Sequence, residues 1–199
     1  MQISTPEGRE DRAAQLVKRL MQVFRVDCFG TALDYGTGSG SISFALAPHS
    51  QRVLAVDKAA QVVADVQAAA NEQGLTQIEG LVLDLEQEEP PADLQADLIA
   101  CVMALHHIHD VPTVVRGFAT LLTPGGAIAL ADLDVEDGSF HGSDSEHAHN
   151  GLDRQWLRGL LEERGFSEIA DETAYVMKRE HEGGVREYPI FLLTARKPG

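Results

Sequence analysis

The chain has 199 residues, of which 44% are hydrophobic, so it can bury one sizeable core and falls within the usual size of a single domain. Its 31 acidic and 16 basic side chains give a formal net charge of -15, which opposes binding to nucleic-acid phosphates and anionic lipid headgroups. We therefore expect a small-molecule partner, with no nucleic-acid or membrane partner. Nothing in the sequence indicates the oligomeric state.

The cysteines and the apolar runs also exclude several classes of protein. Cys28 and Cys101 lie far apart and form no Cys-x-x-Cys pair, so neither a disulfide framework nor a zinc ribbon is expected. No stretch approaches the roughly 18 uncharged apolar residues that span a membrane, and residues 1–12 lack the apolar core of a signal peptide. We expect a cytoplasmic protein.

The first half of the chain alternates strand and helix patterns. Ser4-Thr-Pro-Glu7 is a helix-start pattern, and apolar residues then recur at helical spacing up to Phe24, so residues 1–28 are predicted as a leading helical segment. A βαβαβ pattern follows. The predicted strands are 31–34, 52–57 and 79–83, and the predicted helices are 40–47 and 59–73.

The second half repeats this order and then changes. Strands 96–103 and 127–132 are continuous apolar runs, which is typical of parallel strands buried on both faces. Helices are predicted at 112–122 and 153–164, and the chain ends in an antiparallel hairpin. Its two strands are predicted at 173–178 and 188–196. The predicted fold is α/β, with a doubly wound, mostly parallel seven-stranded sheet, helices on both faces and a C-terminal antiparallel hairpin.

One domain is predicted over residues 1–199, with a ligand-binding core at 29–132 and a C-terminal helix and hairpin at 152–199. Residues 133–151 form a long irregular segment just beyond the carboxyl end of a strand, where ligands bind in open α/β sheets. We therefore expect this segment to be functional or mobile.

A glycine loop follows the first strand. Gly36, Gly38 and Gly40 allow the backbone to turn sharply, and the helix after them offers free N–H groups to an anionic group. The Gly-x-Gly-x-Gly spacing differs from the dinucleotide fingerprint, which keeps two residues before its last glycine. Asp34 beside the loop would repel a pyrophosphate but could receive an ammonium group.

These residues resemble the class I S-adenosylmethionine-dependent methyltransferases. The resemblance spans about residues 31–132 and depends on motifs in a fixed order: Leu33-Asp-Tyr-Gly-Thr-Gly-Ser-Gly40, Val56-Asp57, Leu83-Asp-Leu85, Ala104-Leu-His-His-Ile-His109 and Leu122-Thr-Pro-Gly-Gly126. It implies a Rossmann-like methyltransferase fold, S-adenosylmethionine as cofactor, and methyl transfer to oxygen, nitrogen or sulfur of a small molecule. Residues 134–141 and 149–153 also resemble a pattern of small methyltransferases, which implies that residues 133–151 form a lid over the acceptor pocket, with Phe140 and His141 facing inward.

The resemblance also implies roles for single residues. Asp34 and the three loop glycines would surround the methionine moiety, Asp57 would accept both ribose hydroxyls, and Asp84 would accept the adenine amino group. The predicted cofactor-binding residues are Asp34, Tyr35, Gly36, Gly38, Gly40, Asp57, Lys58, Asp84, Leu85, Met103 and Ala104.

Histidines are the candidates for the chemistry. Methyl transfer is an in-line displacement, so the protein aligns the reactants and sometimes removes a proton, for which histidine is suited near neutral pH. His107 is the first candidate for acceptor contact or base, with His106 and His141 beside it. Because no ligand spacing of a known metal motif is present, no metal site is predicted. The acidic residues near these histidines lead us to expect a cationic or neutral acceptor.

Two other functions stay open at this point. A nicotinamide-dependent oxidoreductase of the same fold could also use Asp57, but the Tyr-x-x-x-Lys pair of short-chain reductases is missing, since Tyr175-Val-Met-Lys178 has the wrong spacing. A catalytically silent S-adenosylmethionine-binding scaffold or regulator is the second alternative.

Overall fold

The computed structural model describes residues 6–141, 147–181 and 183–199. The α-helices are α1 (Pro6–Phe24), α2 (Ser41–Leu46), α3 (Ala60–Glu72), α4 (Val111–Leu121) and α5 (Arg154–Glu163), with short 3-10 turns at Ala47–His49 and Leu105–His107. The strands are β1 (Phe29–Tyr35), β2 (Ser50–Asp57), β3 (Ile78–Val82), β4 (Ala96–Val102), β5 (Leu122–Leu133), β6 (Ser167–His181) and β7 (Gly184–Arg196).

The strands form a seven-stranded sheet in the order β3-β2-β1-β4-β5-β7-β6. Strands β1 to β5 pair in parallel, whereas β7 runs antiparallel to both β5 and β6. The predicted doubly wound sheet with its C-terminal hairpin is confirmed.

Successive side chains of the central strands point to opposite faces of the sheet, so the hydrophobic core has two layers. Ala32 of β1 packs in the layer that contains α1, α2 and α3, while its neighbour Leu33 packs in the layer that contains α4 and α5. Both residues are fully buried because helices cover both faces of the sheet. The same alternation sends Asp34 toward α2 and Tyr35 toward α4, where the Tyr35 ring meets Phe118 edge to face at 5.1 Å.

The hairpin is longer than the sequence predicted. Strand β6 begins at Ser167 rather than at Thr173, and β7 begins at Gly184 rather than at Tyr188. The added residues are mostly polar because β6 is the edge strand of the sheet. They form a strand because their backbone groups pair with β7, and a polar sequence gives no local signal of such pairing. Strand β5 likewise begins at Leu122, before the predicted turn.

The strand order reverses between β1 and β4, so the loops after these two strands separate and leave a crevice at the carboxyl edge of the sheet. Gly36, just past β1, lies so close to Ala104, past β4, that a Cβ on the glycine would stand 2.5 Å from the alanine Cβ. The glycine is therefore required for the two loops to meet.

The segment predicted as a lid is tied to the body at both of its ends. Asp134 forms a bridge with Leu152, and the backbone N–H groups of Ala148 and His149 donate to the carbonyl of His106 at 2.9 and 3.0 Å. Residues 142–146 of this segment lie outside the described residues, so its action as a lid stays a prediction. No helix in the described ranges is long and apolar enough to cross a membrane.

Candidate functional site

The glycine loop adopts the backbone conformation that its composition requires. Gly36, Gly38 and Gly40 have φ values of 74°, 50° and 77°, a region that other residues enter only with strain. The N–H groups of Gly36 and Thr37 donate to the Val56 carbonyl at 2.8 and 2.9 Å, which fixes the loop against the end of β2.

Asp34 lies beneath this loop and is almost fully buried at 1% exposure. Its Oδ2 accepts the hydroxyls of Thr37 at 2.8 Å and Ser43 at 2.7 Å, so the carboxylate joins the loop to α2. Burial raises the pKa of Asp34 to about 6, against the lowering effect of these two hydroxyls. The ionised form of this buried carboxylate therefore destabilises the folded protein, yet the protein retains it next to the crevice.

A large cavity of about 880 Å³ opens in the crevice. Most of the predicted cofactor-binding residues line it: Tyr35, Gly36, Gly38, Asp57, Lys58, Asp84, Met103 and Ala104. Glycine, carboxylate and apolar groups therefore meet in one space, as the ordered motifs predicted.

The two acidic strand ends face this large cavity. Asp57 Oδ1 accepts the N–H of Ala59 at 3.0 Å, and its Oδ2 accepts the N–H of Gly38 at 3.3 Å, which holds the carboxylate between β2 and the glycine loop. Asp84 Oδ1 accepts the N–H of Glu86 at 3.0 Å. These hydrogen bonds orient both side chains before any ligand arrives.

Three of the predicted cofactor-binding residues lie elsewhere. Leu85 is 2% exposed, and its backbone N–H donates to the Tyr35 hydroxyl at 3.0 Å, so the N–H is already satisfied within the core. Gly40 begins α2, where an added Cβ would collide with Phe44 and Val66. Asp34, the third, borders a second cavity instead.

This second, smaller cavity has a volume of about 310 Å³. It shares Gly36, Gly38, Met103 and His107 with the large cavity, so the two spaces meet at the ends of β1 and β4. All three candidate catalytic histidines line it: His106, His107 and His141.

The charges around the small cavity differ from the expectation of an acidic lining. Within the described ranges Asp34 is its one carboxylate, while Arg9 and Arg12 of α1 and Arg179 of β6 contribute guanidinium groups. The expectation was wrong because it weighed sequence neighbours of the histidines, whereas the fold brings α1 and β6 over the site. Nothing in the local sequence signalled these arginines.

Met103 marks the junction of the two cavities. It has a φ of 54°, which is uncommon for a residue other than glycine, and its N–H donates to the Ala131 carbonyl at 2.7 Å. Strained backbone of this kind persists where surrounding structure holds it, and it clusters at binding sites.

The histidines form a compact cluster at the ends of β4 and β5. The ring centroids of His106 and His107 are 4.1 Å apart, and the His141 ring lies 4.9 Å from the first and 5.4 Å from the second. Burial, followed by the nearby His106 and His107, lowers the pKa of His141 to about 4. His141 is therefore neutral at physiological pH.

Asp132, at the end of β5, positions the cluster, a role that its sequence position beside the histidines did not indicate. Its Oδ1 lies 2.5 Å from His106 Nδ1, and its Oδ2 accepts the His106 backbone N–H at 3.2 Å. Both side chains are buried, at 0% and 1% exposure. The pairing depends on the alignment of β4 with β5 across 26 residues of sequence, so no local motif could reveal it.

Comparison with known proteins agrees with this arrangement. Residues 33–130, about half of the chain, match the methyltransferase domain family, which supports a class I S-adenosylmethionine-dependent methyltransferase. A ubiquinone biosynthesis O-methyltransferase of Leptothrix cholodnii is 29% identical over 108 residues, which are 54% of this chain and 46% of that protein. The chain thus spans less than half the length of this curated relative.

Solved structures share the fold. A putative methyltransferase of Bacillus halodurans has a TM-score of 0.74 at 21% identity, covering 92% of this chain and 99% of that one. A phosphoethanolamine N-methyltransferase of Haemonchus contortus, solved with S-adenosylmethionine, has a TM-score of 0.72 at 16% identity, covering 93% of this chain and 52% of that one.

The residues present fit S-adenosylmethionine, the ligand of the Haemonchus contortus structure. Gly36 has no room for a side chain beside Ala104, which leaves the crevice open at the level of the loop. Asp57 and Asp84 offer oriented carboxylates in the large cavity, suited to hydroxyl and amino groups.

Proposed function

We propose that the chain catalyses methyl transfer from S-adenosylmethionine to a small-molecule acceptor bound in the small cavity. The observation that carries this proposal is the meeting of two cavities at Gly36, Gly38, Met103 and His107. One space has the size and polar groups for an adenosyl ligand, and the other is compact and histidine-lined. A donor in the first and an acceptor in the second would face each other at this junction, as an in-line displacement requires.

Each cofactor-site residue then has a task. Asp57 accepts the ribose hydroxyls, Asp84 accepts the adenine amino group, and Met103 and Ala104 border the methionine part of the ligand. Asp34 attracts the ammonium group from beneath the loop. When bound, the cofactor supplies a methyl group on a positively charged sulfur, which makes that methyl electrophilic.

The histidine cluster would face the nucleophilic atom of the acceptor, an oxygen, nitrogen or sulfur. His106, held by Asp132, and the neutral His141 both present imidazole groups to the small cavity. Phe140, which is 2% exposed, borders the same space and helps to exclude water from it. We propose that these histidines orient the acceptor. Their hydrogen bonds also lower the free energy needed to direct the lone pair of its nucleophilic atom toward the methyl group.

The arginines suggest the chemistry of the acceptor. Arg9, Arg12 and Arg179 border the small cavity together with apolar and aromatic side chains such as Phe140 and Met177. Guanidinium groups bind carboxylates and phosphates, while the apolar wall favours a hydrocarbon or aromatic body. We propose a compact acceptor with an anionic group. A polyanion such as nucleic acid is disfavoured by the net charge of -15.

Calorimetric titration with S-adenosylhomocysteine and with NADH separates the proposal from the oxidoreductase alternative. We expect binding of the first ligand only, and binding of NADH alone would refute the proposal. Transfer of a radiolabelled methyl group is then measured over a panel of small acceptors with and without a carboxylate. No transfer over a broad panel, despite cofactor binding, would favour a silent scaffold.

Arg12→Gln tests the acceptor chemistry, with Arg116→Gln as the matched control. Arg12 borders the small cavity and lies over the Tyr175 ring at 5.9 Å, whereas Arg116 lies on the exposed side of α4. We expect the Arg12 variant to raise KM for an anionic acceptor about tenfold, because it removes a charge-assisted hydrogen bond, while kcat changes little. Equal KM values for both variants would contradict an anionic acceptor.

A further inference from the structure

The histidine cluster contains buried polar atoms that form no hydrogen bond with any of the residues that the structure describes. His106 Nε2 and His141 Nε2 are both buried, and neither has a hydrogen-bond partner among the described residues. Leaving a buried polar atom without a partner costs on the order of 1–3 kcal/mol, so two such atoms in one cluster call for an explanation.

The geometry of the cluster supplies one. One ring nitrogen from each of His106, His107 and His141 lies within 4.8 Å of the others. Two of these residues follow β4 and the third follows β5, which are adjacent parallel strands, so the sheet itself brings the three together.

Asp132 fixes the tautomer of the most buried ring. Because its carboxylate occupies His106 Nδ1, which then carries the proton, the lone pair of that ring lies on the unsatisfied Nε2. A histidine that donates one ring N–H to a carboxylate while its other nitrogen faces an ion is the usual arrangement at protein metal sites.

We propose that His106, His107 and His141 form a binding site for a divalent transition-metal ion, with zinc the best match to three imidazole ligands. Three imidazole ligands with one open position are typical of a catalytic rather than a structural zinc site. Zn–N distances of about 2.0–2.1 Å place tetrahedral ligand atoms about 3.3 Å apart, so the three ring nitrogens, which lie within 4.8 Å of one another, must approach by at most about 1.5 Å.

The open position would face the acceptor, and this role rests on the methyl transfer proposed above. All three histidines border the small cavity, so an acceptor hydroxyl or thiol there can become the fourth ligand. Coordination lowers the pKa of that group, and its proton leaves to solvent water. The freed lone pair forms the new bond to the methyl carbon as the sulfur–methyl bond breaks, and that bond's electron pair returns to sulfur.

Metal binding is tested on the tag-free protein after chelation and dialysis. Calorimetry with zinc chloride and the d–d absorption of added cobalt are expected to show one tetrahedral ion for each chain. His141→Ala should weaken zinc binding at least 100-fold, and Asp132→Asn 10- to 100-fold. His49→Ala is the matched control, because His49 lies in the turn before β2 and borders neither cavity.

S-adenosylhomocysteine binding measured on each variant verifies that it is folded and separates the two proposals. Equal zinc affinities for the wild type and His141→Ala, or equal losses in His141→Ala and His49→Ala, would overturn the metal site. If the chelated protein transfers methyl groups as fast as the zinc-loaded one, the metal role is refuted while the methyl transfer stands. Failure to bind S-adenosylhomocysteine would instead refute the methyl transfer.

Discussion

Replacing Asp34 by asparagine should stabilise the ligand-free protein while weakening cofactor binding. The carboxylate is buried, and two hydroxyls, from Thr37 and Ser43, hold it beneath the glycine loop. Asparagine has nearly the same shape and keeps an oxygen that can accept both hydroxyls, so the substitution removes the charge with little change in packing.

The pKa gives the magnitude and the sign. Raising the pKa of Asp34 from 3.8 to about 6 means that the folded state prefers the protonated form. The associated stability is fully present below pH 3.8 and is lost as the pH rises through about 6. The loss amounts to about 1.5 kcal/mol at pH 5 and about 3 kcal/mol at pH 8, and asparagine, which stays neutral, avoids it.

Urea unfolding of the ligand-free wild type and Asp34→Asn at pH 5 and pH 8 measures this difference. We expect the advantage of the variant to grow between these pH values by about 1.5 kcal/mol, and S-adenosylhomocysteine to bind the variant at least tenfold more weakly at pH 8. Wild-type affinity should fall below about pH 6, as Asp34 takes up a proton, and the variant should show no such step.

Two results would refute this reasoning. One is a variant less stable than the wild type at pH 8, which would mean that the charge stabilises the empty site. The other is unchanged ligand affinity, which would mean that Asp34 holds the glycine loop in place and does not bind the ammonium group of the cofactor. Asp65→Asn is the control, because Asp65 is exposed on α3 and its loss should change stability by less than about 0.5 kcal/mol.

Three further substitutions test the large cavity and its support. Asp57→Asn should weaken S-adenosylhomocysteine binding by about 2–3 kcal/mol in calorimetry, because the ribose hydroxyls lose a charged acceptor. Gly36→Ala should abolish binding, since the new Cβ would stand 2.5 Å from the Ala104 Cβ at a φ of 74°. Tyr35→Phe should lower the free energy of unfolding in urea by about 1–3 kcal/mol, because the buried N–H of Leu85 loses its acceptor.

Each of these tests has a control or a contradicting result. Asp65→Asn controls for the change of charge at Asp57, and equal affinities for the two variants would exclude Asp57 from the ribose site. Gly159→Ala controls for Gly36, because no atom lies near its added Cβ and alanine favours the interior of α5. A Tyr35→Phe variant as stable as the wild type would show that water replaces the lost hydroxyl.

The sequence by itself determined the fold and the side of the sheet on which ligands bind. Continuous apolar runs such as 96–103 indicate parallel strands buried on both faces, and the alternation of runs and helices leaves few topologies. The glycine loop and Asp57 depend on neighbouring residues and on one βαβ unit, so local spacing is sufficient to predict that they line one cavity.

The limits of the hairpin were harder to predict, because β6 is an edge strand. Its polar first residues become a strand through pairing with β7, and the free energy of that pairing depends on a partner outside the local pattern. The same reason explains Leu85, whose backbone N–H was expected near the cofactor but is taken up by the Tyr35 hydroxyl, 50 residues earlier in the chain.

Only the tertiary structure decided how the acceptor side is built. The pairing of β4 with β5 places Asp132 against His106, and the packing of α1 and β6 over the crevice brings Arg9, Arg12 and Arg179 to the small cavity. These contacts join residues that are far apart along the chain, and their free energy comes from burial and charge at the assembled site. Sequence periodicity predicts which face of a helix or strand is buried, but it does not predict which residues of other elements that face contacts.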